Sequence, residues 1–289
     1  MKLAYLANIR IPTEKAHGIQ IMKMCESFAA LKIKGQDVEV ELIVPDKFNI
    51  IKEDPFLFYN VKQKFKITKI PCLGLISLGG FWGKISFFIQ TVSFLLMARG
   101  YLLFKSFDPL FTREQLTGLF FKNFILEIHS IPRKISFFHK IIWQRSTKLV
   151  VLTNYIKNLI IASGLPKEKI LVAADAVDLQ EFNISLSTDE ARKKLNLPVN
   201  KKIVLYTGSL LFYGWKGVDT LLQSAKFIKN NSLLVFVGGE KQEIESLKRS
   251  SSILDESDIL MVGRKPHNLI PYYIKAADVL VLPNKAGDV

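Results

Sequence analysis

The residue types and spacings best suited to chemistry stand in two short loops. The first loop, TEKAHG at residues 13–18, separates the apolar run MKLAYLAN from a helical pattern and places Lys15, His17 and Gly18 where that helix should begin. A helix start offers unpaired N–H groups and partial positive charge, which suit a phosphate, and glycine lets a ligand approach the backbone closely. The alternative is a glycine that the turn needs only for its own geometry.

The second loop lies in the other half of the chain, within YTGSLLFYGWKGVDTLL at residues 206–222. A predicted strand ends at Gly208, and Lys216 with Gly217 opens the next predicted helix. A lysine there can neutralise a diphosphate as a point charge. The alternative is a solvated surface lysine. We expect the two loops to face each other across one cleft.

Alternating apolar and helical patterns indicate what positions these loops. Strands are predicted at residues 2–6, 38–44, 65–70, 109–112, 123–127, 149–152 and 170–173, with helices at 18–34, 84–101, 135–145 and 154–163. A polar stretch follows, within which a short helix is predicted at 188–195. After it, strands are predicted at 202–207, 233–237, 259–262 and 279–282, with helices at 218–229, 241–249 and 268–276. Apolar strands separated by helices indicate parallel sheets covered on both faces.

This pattern predicts an α/β protein of two Rossmann-like β/α/β domains that face each other across a cleft. The predicted parts are an N-terminal domain at residues 1–174, a linker at 175–200 and a partial C-terminal domain at 201–289. A doubly wound domain usually has five or six strands and binds ligands at their carboxyl ends. With four predicted strands, the second domain is expected to be incomplete.

Composition narrows the class of protein. Of the 289 residues, 49% are hydrophobic and 23% are charged, which is typical of a globular chain. Cys25 and Cys72 are the two cysteines, and they form no CxxC motif, which excludes a disulfide scaffold and favours a reducing cytoplasm. The four histidines lack ligand spacing and no Asp-x-Asp pair occurs, so no metal site is expected.

Charge and hydropathy bear on partners and location. The net charge of +14 favours anionic partners, but the lysines are dispersed, so no specific nucleic-acid partner is expected. Asn8 and Arg10 interrupt the N-terminal apolar run, which argues against a signal peptide. The apolar segment at 85–104 contains polar positions, falls short of a membrane span and is predicted to be a buried core helix. Contact with an anionic membrane surface stays open, because basic residues lie at both of its ends.

Five stretches, taken in order, resemble the retaining GT-B glycosyltransferases of the large bacterial family four. They are MKLAYLANIRIPTEKAHGIQIMKMCESFA, LEIHSIPRK, VLTNYIKNLIIASGLPKEKILVAADAVDLQEF, YTGSL with WKGVDTLL, and HNLIPYYIKAADVLVLPN. The resemblance covers almost the whole chain. It implies transfer of a sugar, with retention and without metal, from a nucleotide-diphosphate donor to a cell-envelope or glycoconjugate acceptor. No cofactor other than the donor substrate is implied.

The resemblance also implies roles for individual residues. Lys216 takes the place of the lysine that neutralises the departing phosphate, and His129 that of the histidine near the donor sugar. His129 follows the apolar strand NFILE at its carboxyl end, as a cleft residue should, although a lone histidine is more often structural. The residues expected to contact the donor are Gly18, Gly208, Gly217, Gly263 and Arg264.

The sequence departs from the family in two places. Ser209 stands where many relatives have an arginine, and the chain ends at Val289 before the paired glutamates that follow the strand LVLPN in relatives. We therefore expect a truncated chain that can be inactive as given. The alternatives are a non-catalytic GT-B fragment and a nucleotide-sugar epimerase. The partners expected are a nucleotide-sugar donor and a sugar or lipid-linked acceptor, in the cytoplasm or peripheral to the inner face of the membrane.

Overall fold

The computed structural model describes residues 1–74, 80–210, 216–228, 231–250 and 258–285. The chain forms two compact units, Met1–Ala176 (unit 1) and Val177–Val289 (unit 2). Each unit is built on a parallel β-sheet, as the sequence predicts. Residues 211–215 of the second loop and residue 229 of a predicted helix lie outside the described residues.

Unit 1 contains nine strands and six helices among its described residues. In chain order they are β1 (Lys2–Leu6), α1 (Ala16–Ala29), β2 (Lys32–Ile33), β3 (Gln36–Asp37), β4 (Glu39–Pro45), α2 (Pro55–Phe58), β5 (Lys66–Ile70), α3 (Gly80–Leu103), β6 (Leu110–Thr112), α4 (Thr117–Phe120), β7 (Phe124–Ile128), α5 (Phe137–Arg145), β8 (Lys148–Val151), α6 (Asn154–Ala162) and β9 (Ile170–Val172).

Seven of these strands form one sheet in the order β5-β4-β1-β6-β7-β8-β9, and all its neighbouring strands run parallel. The strand order reverses between β1 and β6, which is where open α/β sheets leave a crevice at their carboxyl edge. Side chains alternate across this sheet: Leu3 and Tyr5 join the core on one face, while Ala4 and Leu6 join the core on the other.

The predicted helix at residues 18–34 is shorter than expected at its carboxyl end. It stops at Ala29, and β2 and β3 then form a small antiparallel hairpin. Lys34 and Gly35 connect these strands with φ values of 52° and 79°. Two consecutive residues with positive φ are typical of a tight hairpin turn, and such a turn cannot continue a right-handed helix.

The predicted helix at residues 84–101 is longer than expected and less buried. It begins at Gly80, which adds a turn that carries Trp82. By length and composition alone Trp82–Leu103 could cross a membrane, and 28% of an apolar 18-residue stretch within it is buried. The expectation that the segment falls short of a span is therefore wrong by these criteria, and the expectation of a buried core helix holds only for the side that packs on the sheet.

Unit 2 contains four strands and five helices among its described residues. In chain order they are α7 (Leu179–Phe182), α8 (Thr188–Lys194), β10 (Lys202–Thr207), α9 (Val218–Gln223), β11 (Ser232–Val237), α10 (Lys241–Ser250), β12 (Ile259–Gly263), α11 (Ile270–Ala276) and β13 (Val279–Leu280). The strands form a parallel sheet in the order β12-β11-β10-β13.

Helix α8 lies in the stretch predicted as a linker, and it packs into the core of unit 2. Ser187 caps it, because its hydroxyl accepts from Glu190 N while the Glu190 carboxylate accepts from Ser187 N. Ala191 is buried against the core, and Arg192, only 5% exposed, donates to the carbonyl of Ala276 and to the carboxylate of Asp278. The segment is thus an integral part of unit 2.

The predicted helix at residues 218–229 is also divided. Its α-helical part ends at Gln223, and a 3-10 turn follows at Ser224–Phe227. Ser224 Oγ donates to the carbonyl of Leu221 at 2.6 Å. A hydroxyl that bonds back to the preceding turn competes with the regular helix ladder, which explains the change of helix type at this residue.

Candidate functional site

The carboxyl edge of the unit 2 sheet is built largely from glycine backbone. Gly208 follows β10, Gly238 and Gly239 follow β11, and Gly263 ends β12. A Cβ added to Gly238 would lie 1.9 Å from the carbonyl oxygen of Gly208, and its φ is 132°. Adjacent loops therefore meet backbone to backbone, and no larger residue fits at Gly238 without a shift.

Gly217 is required by both conformation and space. It is the N-cap of α9, with φ of 59° and ψ of 20°. A Cβ there would lie 1.9 Å from the carbonyl oxygen of Pro283, which follows β13. Lys216, partly exposed, directly precedes it. The structure thus places Lys216 at the carboxyl edge of the unit 2 sheet, at the end of the connection from β10 to α9, as the sequence predicts.

Gly263 and Arg264 line a pocket of about 430 Å³ at the same edge. Arg264 N donates to the carbonyl of Gly239 at 3.0 Å, and its guanidinium pairs with Glu240 at 2.9 Å. Gly263 has φ of 74°, which favours glycine. The loops after β11 and β12 therefore form one pocket wall. The sequence predicted Gly263 and Arg264 as donor contacts but did not single out the Gly238-Gly239 pair.

In unit 1, Gly18 has a packing role that the sequence did not reveal. It is the third residue of α1 rather than the first, because the helix begins two residues earlier than predicted, and it is buried. A Cβ there would lie 2.3 Å from Tyr59 Oη and 2.6 Å from Thr13 Cγ2. Tyr59 Oη accepts from Thr13 N at 2.6 Å and donates to Thr13 O at 2.7 Å, which fixes the loop before α1. Packing beneath Tyr59 thus suffices to explain the glycine, and contact with a donor stays a prediction.

His129 is paired with a buried carboxylate. Its Nε2 lies 2.8 Å from Oε1 of Glu127, which is on β7 two residues earlier, while His129 lies just after the strand. Oε2 of Glu127 accepts from Tyr5 Oη at 3.4 Å and lies 3.8 Å from Nε of Arg113. The imidazole, one quarter exposed, is therefore held at the carboxyl edge with a defined orientation.

This pair belongs to a longer polar network that sequence reasoning missed. Nη1 of Arg113, just after β6, donates to Gln20 Oε1 at 3.0 Å, and the amide of Gln20 donates to Asp175 after β9. The network connects three strand ends and helix α1. One signal was present in the sequence: Glu127 is a charged residue inside the apolar run NFILE, where a carboxylate needs a partner.

A second polar cluster fills the crevice between β1 and β6. Asn8 donates to Thr91 Oγ1 at 2.8 Å and accepts from Lys47 Nζ at 3.1 Å. Burial raises the pKa of Glu114, although bonds from Leu116 N and Asn8 oppose the shift. Burial also lowers the pKa of Lys47. Both shifts reflect the cost of charge in a poorly solvated place.

A cavity of about 530 Å³ adjoins this cluster, lined mostly by the loop after β4. Its basic lining residues are Lys47, Lys52 and Lys69. Among the described residues there is no group of three or more His, Cys, Asp or Glu side chains that could hold a metal ion.

Comparison with known proteins relates part of this chain to a family of enzymes. A family model described as "Glycosyl transferases group 1" matches residues 187–287, which lie within unit 2 and include its glycine-lined edge. This chain is therefore similar, over residues 187–287, to the group 1 glycosyl transferases. The protein TuaC of Bacillus subtilis (strain 168), described as a teichuronic acid biosynthesis glycosyltransferase, is 28% identical over 109 residues. That match covers 37% of this chain and 25% of TuaC.

Solved structures are similar to the chain over both unit 1 and unit 2. Sucrose-phosphate synthase from Thermosynechococcus elongatus matches with a TM-score of 0.69 and 17% identity, over 98% of this chain and 75% of that chain. HepE from Anabaena, in complex with UDP, matches with a TM-score of 0.68 and 13% identity, over 99% of this chain and 75% of that chain. The chain therefore has the α/β fold with parallel sheets found in GT-B glycosyltransferases. It corresponds to a quarter of TuaC and to three quarters of these structures.

Proposed function

We propose that this chain acts in a metal-independent, retaining glycosyltransferase. The enzyme would move a sugar from a nucleotide-diphosphate donor to a cell-envelope or glycoconjugate acceptor. The observation that carries the proposal is that the match to the group 1 family model, at residues 187–287, includes the glycine-lined carboxyl edge with Lys216, Gly263 and Arg264. TuaC, described as a teichuronic acid biosynthesis glycosyltransferase, and the UDP complex of HepE support the acceptor and donor classes.

The chemistry explains why a lysine at this edge matters. In transfer, the bond from the anomeric carbon to the phosphate oxygen breaks, and the acceptor oxygen bonds to that carbon on the same face and gives up its proton. The nucleoside diphosphate leaves with an additional negative charge. A cation fixed beforehand beside that oxygen lowers the barrier, because it needs no reorganisation during the step. We assign this role to Lys216, and contact with the nucleotide to Gly208, Gly217, Gly263 and Arg264.

Unit 1 is proposed to supply His129 beside the donor sugar. Glu127 holds the imidazole, since its carboxylate lies 2.8 Å from His129 Nε2. Arg113 and Tyr5 in turn hold the carboxylate. A group oriented in this way can position a reacting hydroxyl, which is a large contribution to catalysis when the geometry is right. The role of Gly18 toward the diphosphate is a further part of this proposal.

We also propose that the protein works in the cytoplasm at the inner face of the membrane, on a sugar or lipid-linked acceptor. The net charge of +14 supports attraction to anionic lipids.

Calorimetric titration with UDP, GDP, ADP and dTDP tests donor binding. We expect one of these nucleotides to bind the wild-type chain. Lys216→Ala should weaken that binding about tenfold or more, because a charged contact is worth roughly 1.5–3 kcal/mol. Lys226→Ala should leave the binding unchanged. Lys226 is an exposed lysine in the turn after α9, so it controls for loss of charge. Binding of none of the four, or equal binding by both variants, would count against the proposal.

Product analysis separates the transferase from its alternatives. An epimerase would convert the nucleotide sugar without any acceptor, whereas a transferase releases nucleoside diphosphate in proportion to the acceptor glycosylated. Salt-sensitive DNA binding without nucleotide affinity would favour a basic binding protein instead.

A further inference from the structure

Helix α3 is apolar on all sides, but unit 1 covers only one of them. Phe94, Leu95 and Ala98 are buried in the core of unit 1. Gln90 and Thr91 are also buried on the packed side, and both bond to Asn8. A helix that is hydrophobic all round is normally covered all round, so the outer side of α3 needs an explanation.

The outer side is a continuous apolar surface, which we call the α3 face. It consists of Trp82, Phe88, Ile89, Leu96, Met97 and Leu103, with Phe104 directly after the helix. Their exposed fractions run from 37% at Ile89 to 91% at Phe104. Four of them recur every seven residues, at positions 82, 89, 96 and 103, and therefore lie in one row along the helix. The row is about 30 Å long at 1.5 Å per residue.

The sequence around the α3 face carries charge of one sign only. Residues 55–107 contain no Asp and no Glu. The same stretch contains seven basic residues, which are Lys62, Lys64, Lys66, Lys69, Lys84, Arg99 and Lys105. An apolar surface in a positively charged surround suits a bilayer with anionic headgroups, because acyl chains cover the apolar side chains and headgroups neutralise the cations.

We propose that the α3 face docks on an anionic lipid bilayer, with α3 lying in the interface rather than across the membrane. This inference deepens the membrane contact proposed above, on which it rests, by naming the surface that makes it. Trp82 at the amino end of the row has the amphipathic ring that prefers the headgroup level.

Hydrogen bonds to the sheet exclude a spanning arrangement of the folded unit. Asn8 Nδ2 donates to Thr91 Oγ1 at 2.8 Å near the amino half of α3, and Tyr101 Oη donates to Glu41 at 2.6 Å near its carboxyl end. Insertion across a bilayer would break both bonds and uncover the apolar strands beneath Phe94 and Leu95. Lying on the surface keeps these contacts and buries the outer side alone.

A second copy of the chain is a poorer occupant. Two α3 faces related by a twofold axis would bring the basic side chains at 84, 99 and 105 of one copy next to those of the other. Lys105 is paired with Glu41 of its own copy at 3.6 Å. Residues 55–107 hold no acidic residue that would compensate Lys84 and Arg99, so their like charges would repel across the contact. An anionic surface removes that repulsion.

Vesicle sedimentation tests the proposal with a matched pair of variants. Leu96, 52% exposed, lies in the α3 face, and Leu171, 57% exposed, lies on edge strand β9 of the same unit. We expect the wild-type chain and Leu171→Glu to sediment with phosphatidylglycerol vesicles more than with phosphatidylcholine vesicles. Leu96→Glu should bind about tenfold more weakly or worse, because a leucine leaves the apolar layer and a charge enters it.

A fluorescence measurement identifies the docked residue directly. Lipids brominated in their acyl chains should quench tryptophan emission of the wild-type chain, and Trp82→Phe should remove most of that quenching. The proposal is overturned if the wild-type chain does not bind anionic vesicles or if Leu96→Glu binds them like the wild type. It is also overturned if Leu171→Glu loses as much vesicle binding as Leu96→Glu. A change from dimer to monomer in Leu96→Glu, without any change in vesicle binding, would overturn it as well.

Calorimetry on the same variants keeps this proposal distinct from the proposed function. Leu96→Glu should bind the nucleoside diphosphate selected for the wild type with unchanged affinity. Loss of vesicle binding with intact nucleotide binding would support the α3 face. Failure of all nucleotide binding alongside intact vesicle binding would overturn the donor site alone.

Discussion

Nε2 of His129 lies 2.8 Å from Oε1 of Glu127, which is on β7, and His129 directly follows the end of that strand. The carboxylate is almost fully buried, and Arg113 and Tyr5 approach its other oxygen. Burial of a carboxylate is costly unless hydrogen bonds and an opposite charge compensate for it. Arg113 and Tyr5 thus fix the carboxylate of Glu127, which in turn orients His129.

Glu127→Gln should lower the rate of sugar transfer. Glutamine keeps the shape of the side chain but loses the charge opposite Arg113 and one acceptor for His129. A hydrogen bond to a charged group is worth about 1.5–3 kcal/mol, which corresponds to roughly a 10- to 100-fold lower kcat. Steady-state kinetics with the donor selected by calorimetry measures this. Glu39→Gln, at an exposed site on β4, is the control and should behave like the wild type, and an unchanged kcat in Glu127→Gln would remove Glu127 from the proposal.

Gly18→Ala should destabilise unit 1. The added methyl group would lie 2.3 Å from Tyr59 Oη and 2.6 Å from Thr13 Cγ2, so the loop before α1 must move. Overpacking of this kind costs about 1–3 kcal/mol. Urea denaturation measures the difference. Gly100→Ala is the control, because this glycine is also helical but has open space around it, and it should be neutral or slightly stabilising. Equal stability of both variants would contradict the packing role.

Asp278→Ala should destabilise unit 2 by about 3–5 kcal/mol, because it leaves the buried guanidinium of Arg192 without its carboxylate. The hydrogen bond from Ile203 N lowers the pKa of Asp278, and Lys202 and Arg192 add to the effect. A carboxyl group whose pKa is lowered on folding stabilises the folded state at pH values above its ordinary pKa of 3.8. This stabilisation is lost as the pH falls through the pKa of the folded state. The wild type should therefore lose stability below about pH 4 more steeply than Asp278→Ala.

Asp258→Ala is the matched control for that experiment. Asp258 pairs with Lys201 at 2.8 Å and is similarly exposed, but its lysine is not deeply buried. Its loss should cost about 1 kcal/mol or less. Thermal unfolding of both variants between pH 3 and pH 7 measures the comparison, and equal losses would show that Arg192 is not a special partner.

Glu114→Gln should stabilise unit 1 at neutral pH. Burial raises the pKa of Glu114 above its ordinary value of 4.5. A carboxyl group whose pKa is raised on folding stabilises the folded state at pH values below its ordinary pKa. This stabilisation is lost as the pH rises through the pKa of the folded state. Glutamine has no such dependence, so the advantage of Glu114→Gln should appear above about pH 4.5 and vanish below it. Chemical denaturation across this range, with the exposed Glu53→Gln as control, measures the effect. A pH-independent difference would refute the assignment to ionisation.

Strand positions were the part of the fold that the sequence predicted best. Strands β1 and β10 match their predicted bounds, since each is a short apolar run between turn residues. Helix ends were less predictable: the turn at Lys34 and Gly35 and the back-bonding hydroxyl of Ser224 ended helices that the apolar pattern alone would continue. Such ends depend on a few local bonds that periodicity does not register.

The sequence by itself determined the α/β class, the place of Lys216 at a sheet edge and the position of His129 after a strand, because apolar periodicity and the direction of parallel strands fix which residues reach the carboxyl edge. Only the tertiary structure decided that Glu127, Arg113, Gln20 and Asp175 join His129 in one network, since these residues are distant along the chain. It also decided that Gly18 packs beneath Tyr59 and that one side of α3 stays uncovered. Periodicity shows that a helix is apolar, whereas the neighbours it has in the fold determine which of its sides are buried.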